Sequence, residues 1–475
     1  MVDALNVYLH DTLVGRLTPD RLNRKRIQFE VDEDYVGPAN ALSEAISLIK
    51  GRVTDKETAS QFFGGFLPEG PNRTALATRV PGLNADNLFG MLSNYGLTMA
   101  GAVSVRSDDP REDVTAAYRE LNPRELRKKL QKAVKDHDLG SEPESGRSAI
   151  AGFQPKVLLA RFEGQWYQPL FSAHSTHIVK PAPAHRPVTI SDEFYSHEIS
   201  RHMGLASFGS ELVELNGLRY LAIERYDRRV RGFGEVDVFH QEDAAQILGL
   251  DWTDTHAKFQ DPEHVGRRDR PTAARIAEIA GTLTVPDGTE IWLKYLIYTV
   301  LIGNHDSHAK NVSIVHDGDE SRLADLYDAV PILHINDEPD RAKEDRITDQ
   351  MALAVNGEFS HHSISRAHIE AEATSWGAIA MRRIATLIDE TFDQFAYALD
   401  AVLLPESSTP HLKDRLGHNL ERLSSGLTIQ RLKTAVAPWG GPSGSGSQVR
   451  RGQTGKSGNT GKFDVKPQSP PEVRL

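Results

Sequence analysis

A long apolar run at residues 291–302 ends abruptly in the polar segment Gly-Asn-His-Asp-Ser-His-Ala-Lys-Asn at 303–311. The large apolar side chains of the run recur with the period of a mostly buried helix. A core helix that ends in a glycine and is followed by titratable residues presents chemistry from a rigid support. We therefore expect a functional loop at 303–311.

Acidic and amide side chains in and after this loop are spaced as in a phosphoryl-transfer site. Asp306 and Asn311 are five residues apart, a short apolar strand follows at 312–315, and Asp328 comes after the strand. Protein kinases place a catalytic base and two metal ligands in this order. Metallophosphatases of the calcineurin type also contain Gly-Asn-His-Asp, so the loop alone fits either class.

The composition excludes several classes of protein. The 39% hydrophobic and 25% charged content is ordinary for a soluble globular chain. The absence of cysteine excludes disulfides and thiolate zinc sites. No apolar run of about 18 residues and no signal-peptide pattern occurs, so we expect a cytoplasmic protein that does not enter a membrane. A net charge of −11 argues against nucleic-acid binding through the overall field of the chain.

Shifts in composition divide the chain into four regions. Alternating strands within 3–31 and a buried strand before residue 106 define a β-rich domain at 1–106. A connecting helix, expected to be solvated, and a Gly/Ser-rich linker fill 107–148. The main α/β domain spans 149–435, and helices dominate from 364 onward. The tail at 436–475 is rich in Gly and Ser, and we predict that it is disordered.

Smaller signals occur along the main domain, and each has a plain structural explanation when taken alone. A small-residue turn at 149–156 could be an ordinary loop, Lys180 a solvated strand end, and Glu193 a partner of a helix dipole. The charged segment at 223–228 could end any strand, and His-Gln-Glu-Asp at 240–243 could cap a helix. Their order, however, is the order of parts in a kinase ATP site.

The chain resembles the HipA-type serine/threonine kinases, the toxin subunits of bacterial toxin–antitoxin pairs, over roughly residues 3–400. The motifs that show this are Phe-Leu-Pro-Glu-Gly at 66–70, Ala-Gly-Ala-Val at 100–103, Ala-Gly-x-Gln-x-Lys at 151–156, Ser-Thr-His-Ile-x-Lys-Pro at 175–181, Glu-Arg-Tyr-Asp-Arg at 224–228, His-Gln-Glu-Asp at 240–243 and the loop at 303–311. The resemblance implies an α+β fold: a protein-kinase-like two-lobed body, an N-terminal β-rich subdomain and an all-helical C-terminal portion.

The resemblance also implies roles for individual residues, with ATP and Mg²⁺ as cofactors. Asp306 matches the base, and Asn311 and Asp328 match the metal ligands. Lys180 matches the phosphate-contacting lysine, which Glu193 orients. The other implied ATP-binding residues are Ala151, Gly152, Phe153, Gln154, Lys156, Glu224, Arg225, Tyr226, His308, Lys310 and Tyr327.

Two positions depart from the family pattern. The best-known members autophosphorylate a serine in the phosphate loop, where this chain has Ala149. Self-inactivation by that route would need Ser148 or Ser145 instead, and Ser148 is our candidate. The family usually has threonine where His305 stands, and packing is the expected role of this ring.

Two alternatives to a kinase remain for comparison. A metallophosphatase needs companion Asp-x-His, Gly-Asp-x-x-Asp and Gly-His-x-His motifs, which the sequence lacks. A kinase-fold scaffold acting in transcriptional autoregulation stays open as the second hypothesis. The resemblance implies a helix-turn-helix partner, an antitoxin of the HipB type, and contact with DNA only through it. It also implies a protein substrate, an aminoacyl-tRNA synthetase in some relatives, but no residue here identifies the target.

Overall fold

The computed structural model describes residues 3–107, 115–136, 154–264, 266–332 and 348–426. Several sequence predictions lie outside these residues: the phosphate-loop positions Ala151, Gly152 and Phe153, the candidate Ser148, most of the linker and the tail at 436–475. No helix within the described ranges is long and apolar enough to cross a membrane.

An antiparallel sheet with strand order β4-β3-β2-β1-β5 forms the N-terminal unit. Its strands are β1 (Leu5–Leu9), β2 (Thr12–Pro19), β3 (Ile27–Val31), β4 (Val53–Thr54) and β5 (Val103–Arg106). Helices α1 (Lys56–Gly65), α2 (Gly70–Thr78) and α3 (Leu88–Tyr95) complete the unit. The apolar residues that alternate along the strands share one core with these helices, and Phe29 lies 5.4 Å from Phe63 between ring centroids. The predicted meander is confirmed.

A second antiparallel sheet, with order β10-β11-β9-β7-β8-β6, follows in the described part of the chain. Its strands are β6 (Ala117–Leu121), β7 (Val157–Phe162), β8 (Gln165–Leu170), β9 (His177–Pro181), β10 (Ser210–Leu215) and β11 (Leu218–Glu224). Helix α5 (Thr189–His202) packs against β10 and β11. This packing brings the helix acid Glu193 next to Lys180 on the neighbouring strand β9.

Helix α4 (Pro123–Asp136) is not the solvated connecting helix that the sequence predicts. Its start is as predicted, because the Asn122 side chain accepts from the Glu125 amide at 3.1 Å and Glu125 accepts from the Asn122 amide at 2.9 Å. Its apolar face, however, is buried against the second sheet, with Leu130 fully inaccessible. The preceding residues, expected to be a loop, form the sheet's edge strand β6.

A largely helical body completes the fold. Its helices are α6 (Ala244–Ile247), α7 (Ala273–Thr282), α8 (Gly288–Ile302), α9 (Arg366–Ser375), α10 (Met381–Ala401) and α11 (Leu412–Ser424). Its short strands are β12 (Arg228–Gly232), β13 (Glu235–Val238), β14 (His240–Asp243), β15 (Ser313–Asp317), β16 (Glu320–Leu323), β17 (Gln350–Val355) and β18 (Glu358–Ser360). The predicted apolar run forms α8, whose side chains lie in the largest core of the described residues.

The segment at 240–243 forms a strand, whereas the sequence predicts a helix from this point. Strand β14 pairs with β15, a partner that follows it by about seventy residues. The helix begins after it, at Ala244, and Asp243 caps it by accepting from the Gln246 amide at 2.8 Å. The expected cap is therefore present at the end of the segment.

Asp227, in the Glu-Arg-Tyr-Asp-Arg segment, joins the body to the N-terminal unit. It accepts from the Gly101 amide at 3.0 Å and forms ion pairs with Arg225 and Arg228 at 2.7 and 2.8 Å. Gly101 has a φ of +68°, and a Cβ there would lie 2.5 Å from the Gln241 nitrogen. Close backbone packing requires glycine at this position.

Glu242 forms a second connection between the two parts. Its carboxylate accepts from the Ser43 hydroxyl at 2.6 Å and from the Glu44 amide at 2.8 Å, both in the N-terminal unit. His240, two residues earlier, contacts the Leu42 carbonyl at 2.7 Å. The His-Gln-Glu-Asp segment is thus an inter-unit contact as well as a strand.

Candidate active site

The polar loop after α8 is held in shape by its own side chains. Gly303 ends the helix in the left-handed conformation, at φ 68°. The Asn304 side chain accepts from the backbone amide of Asp306 at 3.2 Å. The side-chain amide of Asn311 donates to the backbone carbonyl of Asp306 at 2.8 Å. These bonds fix the backbone on both sides of the Asp306 carboxylate, which stays 52% exposed.

Asp306 is suited to accept a proton near neutral pH. Although half of the side chain is accessible, the cleft around it partly desolvates the carboxylate. This desolvation and the negative charge of Asp328 raise the pKa of Asp306 to about 6. The His308 ring lies 3.7 Å away, and its burial lowers the pKa of that imidazole to about 3, so the ring is neutral at pH 7. A carboxylate with a pKa close to the working pH is an effective general base.

Lys180 lies between two acids. Its ammonium donates to Glu193 at 2.7 Å and to Asp328 at 2.6 Å. Burial alone would lower the pKa of Lys180, but Asp328 and Glu193 outweigh it and raise that pKa. Burial raises the pKa of Glu193, whereas Lys180 and Lys156 overcome burial at Asp328 and hold its pKa well below the usual range. A charged lysine is thus held where α5 meets the loop carrying Asp328.

Asn311 and Asp328 line the same cavity and offer oxygen atoms to a cation. No group of three or more His, Cys, Asp or Glu that could hold a metal occurs among the described residues. Mg²⁺ in phosphoryl-transfer sites uses one or two side chains together with phosphate oxygens and water, so it does not need such a group. The amide and carboxylate oxygens here fit that mode of binding.

The cavity has a volume of about 250 Å³ and reaches from the loop at 303–311 to the end of β11. The residues predicted to hold adenine, Glu224, Arg225 and Tyr226, line it. The Arg225 side chain is committed to its ion pair with Asp227, and its backbone amide donates to the Thr176 carbonyl at 2.9 Å. The Tyr226 ring stacks on Tyr327 at 5.3 Å between centroids, and together the two rings form an apolar wall.

Two further predicted residues, Gln154 and Lys156, line the cavity at the start of β7. Burial and the neighbouring charge of Lys180 lower the pKa of Lys156 to about 8. Both lysines therefore present positive charge to the same space, as an anionic ligand requires.

Lys310, which the sequence places at ATP, lines the cavity and also contacts the N-terminal unit. Its ammonium donates to the Gly65 carbonyl at 2.9 Å and lies 3.4 Å from Glu69. His305 is mostly enclosed, and burial lowers its pKa to about 4. The packing role expected for His305 remains our interpretation.

Sequence reasoning missed the site residues Glu69 and Lys258. They form a buried ion pair at 2.6 Å, and both line the cavity. Burial would raise the pKa of Glu69, but Lys310 and Lys258 lower it to about 2. The Phe-Leu-Pro-Glu-Gly segment at 66–70 could have indicated Glu69, because it places an acid in an apolar turn that contains no basic residue.

Comparison with known families identifies the architecture. A model of the HipA-like C-terminal domain matches residues 148–399, more than half of the chain, and a model of the HipA N-terminal domain matches residues 5–106. The chain belongs to the HipA family.

HipA-family relatives cover most of the chain. The putative kinase Y4mE of Sinorhizobium fredii is 29% identical over 408 residues, covering 84% of this chain and 92% of the relative. The serine/threonine-protein kinase toxin HipA of Shewanella oneidensis is 25% identical over 370 residues, covering 76% and 80%. Both relatives are named as kinases, and each aligns with this chain over most of its length.

A solved HipA structure has the same fold. A chain of the complex of HipA, HipB and operator DNA from Shewanella oneidensis superposes with a TM-score of 0.72 at 21% identity, covering 91% of this chain and 100% of that one. The predicted fold class, an α+β kinase-like body with a β-rich N-terminal part, is confirmed.

Proposed function

We propose that this chain is an ATP- and Mg²⁺-dependent protein serine/threonine kinase. The supporting observation is the convergence on one cavity of a loop acid, Asp306, a lysine held by two acids, Lys180, and the oxygen donors Asn311 and Asp328. These groups come from strand β9, the loop at 303–311 and the segment after β16. Together they supply the parts that phosphoryl transfer needs.

Each side chain has a defined task in this proposal. Asp306 accepts the proton of a serine or threonine hydroxyl as that oxygen attacks the γ-phosphoryl group. Lys180, oriented by Glu193, offsets the negative charge of the nucleotide phosphates. Asn311 and Asp328 would hold Mg²⁺ through their side-chain oxygens, and the ion would offset negative charge on the phosphates. The backbone of 224–226 and the Tyr226–Tyr327 wall hold the adenine ring.

The Asp306→Asn variant tests the assignment. It keeps the shape of the side chain and removes the proton acceptor, so we expect transfer of labelled phosphate from ATP to fall by about 100-fold or more. The exposed Asp319→Asn variant is the matched control and should keep the wild-type rate. Phosphoproteomes of cells expressing wild type or Asp306→Asn would then identify the protein target. Equal transfer by Asp306→Asn and wild type would show the assignment to be wrong.

We also propose that the protein works with a helix-turn-helix antitoxin and meets operator DNA through it. The relative from Shewanella oneidensis forms a complex with HipB and operator DNA, and the −11 charge of this chain favours contact through a partner. Growth arrest that Asp306→Asn relieves would support an active toxin. Arrest or repression that is indifferent to Asp306→Asn would favour the scaffold hypothesis.

A further inference from the structure

Glu69 lies at a junction between two helices of the N-terminal unit, but its side chain serves neither. It occupies the position before the first turn of α2, where an acidic side chain commonly caps the helix, and it makes no capping hydrogen bond. Only 8% of the side chain is exposed. A buried carboxylate without a local role needs partners elsewhere.

Those partners are two lysines, one within the loop at 303–311 and one in a segment that contacts it. Lys310 belongs to the loop itself, between Asp306 and Asn311, and Lys258 precedes α7. The Lys258 carbonyl accepts from the Ala309 amide at 3.2 Å, so this segment is bonded to the loop backbone as well. Glu69 therefore lies against both the loop and the segment that supports it.

The surrounding contacts reinforce the same connection. Lys310 also donates to the Gly65 carbonyl at the end of α1. The Phe259 ring, next to Lys258, packs edge-on against His308 at 5.1 Å between centroids. The N-terminal unit thus reaches the loop through one carboxylate and one carbonyl, at less than 4 Å in each case.

We propose that Glu69 is a positioning residue for phosphoryl transfer: through Lys310 and Lys258 it holds the loop so that Asp306 meets the substrate hydroxyl. The N-terminal unit is then a working part of the active site, in addition to any docking role. The expected effect of Glu69 on the rate of phosphoryl transfer rests on the proposed kinase function. A displacement of about 1 Å at such a loop can slow a reaction about 100-fold.

The Glu69→Gln variant tests the inference in the full-length protein. We expect kcat to fall by about 10- to 100-fold, while KM for ATP and binding of a non-hydrolysable ATP analogue change by about twofold or less. Amide hydrogen exchange in 303–311 should become faster, above all at Ala309. If Glu69→Gln does not fold, Glu69→Asp, which keeps the charge and shortens its reach, is measured in its place.

Arg73→Gln is the matched control for a general weakening of the contact between the N-terminal unit and the body. Arg73 also joins the N-terminal unit to the body, by donating to the Trp252 carbonyl at 2.9 Å, but it does not touch the loop. It should leave kcat and loop exchange near wild type.

Equal losses of kcat in Glu69→Gln and Arg73→Gln, or unchanged loop exchange in Glu69→Gln, would overturn the positioning role. If the wild type transfers no phosphate, the kinase proposal fails separately, and the exchange comparison still decides whether Glu69 holds the loop.

Discussion

Two buried ion clusters in this protein contain similar groups but differ in how completely their carboxylates are paired. At the inter-unit contact, Asp227 is 2% exposed and accepts from Arg225, Arg228 and the Gly101 amide. In the cavity, Lys180 lies between Glu193 and Asp328. There the Glu193 Oε2 atom is buried without a hydrogen-bond partner in the described residues, and Asp328 is 36% exposed.

This difference distinguishes a cluster that only connects parts of the fold from one that can bind a ligand. A carboxylate with every acceptor position used contributes a fixed connection, and nothing is left to bind a ligand. Buried polar atoms without partners are rare in folded proteins, and they occur preferentially where a ligand or water completes them. Both clusters belong to segments that resemble the ATP site of HipA-type kinases, and in the Asp227 cluster the Arg228 Nε atom is also buried without a partner in the described residues. Only the cavity cluster, however, leaves a carboxylate oxygen unpaired and has an acid that is partly open to solvent.

Breaking the Asp227 cluster should have the largest effect on stability. Asp227→Asn leaves Arg225 and Arg228 buried without their counter-charge, and we expect a loss of about 3–5 kcal/mol in the free energy of unfolding. Denaturant unfolding monitored by fluorescence would measure it. The exposed pair Arg231–Asp237 provides the control, because Asp237→Asn should cost about 1 kcal/mol or less. A loss no larger than the control's would mean that the cluster is not structural.

Breaking the incompletely paired cluster should affect activity more than stability. In Lys180→Met the phosphates lose a cation, and we expect phosphoryl transfer to fall by about 100-fold, equivalent to about 2.7 kcal/mol. The fold should persist, because burial already raises the pKa of Glu193 and this acid can take up a proton. Rates and melting temperatures of Lys180→Met and the exposed control Lys128→Met would be compared. A melting temperature lowered as much as in Asp227→Asn would remove the distinction.

The smallest predicted effect is a pH dependence of stability shared by both clusters. Burial lowers the pKa of His240, near the inter-unit contact, and of His197, near Glu193, to about 3. In the unfolded chain a histidine binds a proton near pH 6.5. The contribution that each neutral ring makes to the free energy of unfolding is therefore complete above that pH and is lost as the pH falls toward 3. At pH 5.5 the loss is roughly 1.4 kcal/mol for each ring.

His197→Phe isolates one of these contributions. Neither ring nitrogen of His197 has a hydrogen-bond partner in the described residues, although Glu193 lies 3.6 Å away. Between pH 7.5 and 5.5 the free energy of unfolding of the variant should therefore fall by about 1.4 kcal/mol less than that of the wild type. Melting curves across this range would measure the slope, with the exposed His264→Phe as control. Parallel curves for all three proteins would contradict the prediction.

Local sequence patterns were sufficient for some elements and insufficient for others. The apolar run and Gly303 predicted α8 and the loop after it, because helix period and helix-ending glycine are local signals. The segment at 240–243 was predicted as helix, but its conformation is set by pairing with β15, which no local pattern reveals. The apolar face of α4 gave no indication that a sheet covers it.

The candidate site shows the same limit. The spacing of Asp306, Asn311 and Asp328 could be read along the chain, because the three lie within about 25 residues. Glu69 and Lys258 are 189 residues apart, and only the folded chain brings them together. The sequence places Lys310 at ATP, and this stays a prediction. Its contact with the Gly65 carbonyl could not be predicted, because that carbonyl is 245 residues away in another unit.

The contact between Lys310 and the Gly65 carbonyl has a consequence for the timing of synthesis. Its two ends are separated by 245 residues, which a ribosome translates in roughly 10–50 s. During that interval the N-terminal unit has left the ribosome while the segment it will hold does not yet exist. The loop that contains Asp306 can therefore be fixed only late in translation, so an incomplete chain lacks the contact from the N-terminal unit that secures its candidate base.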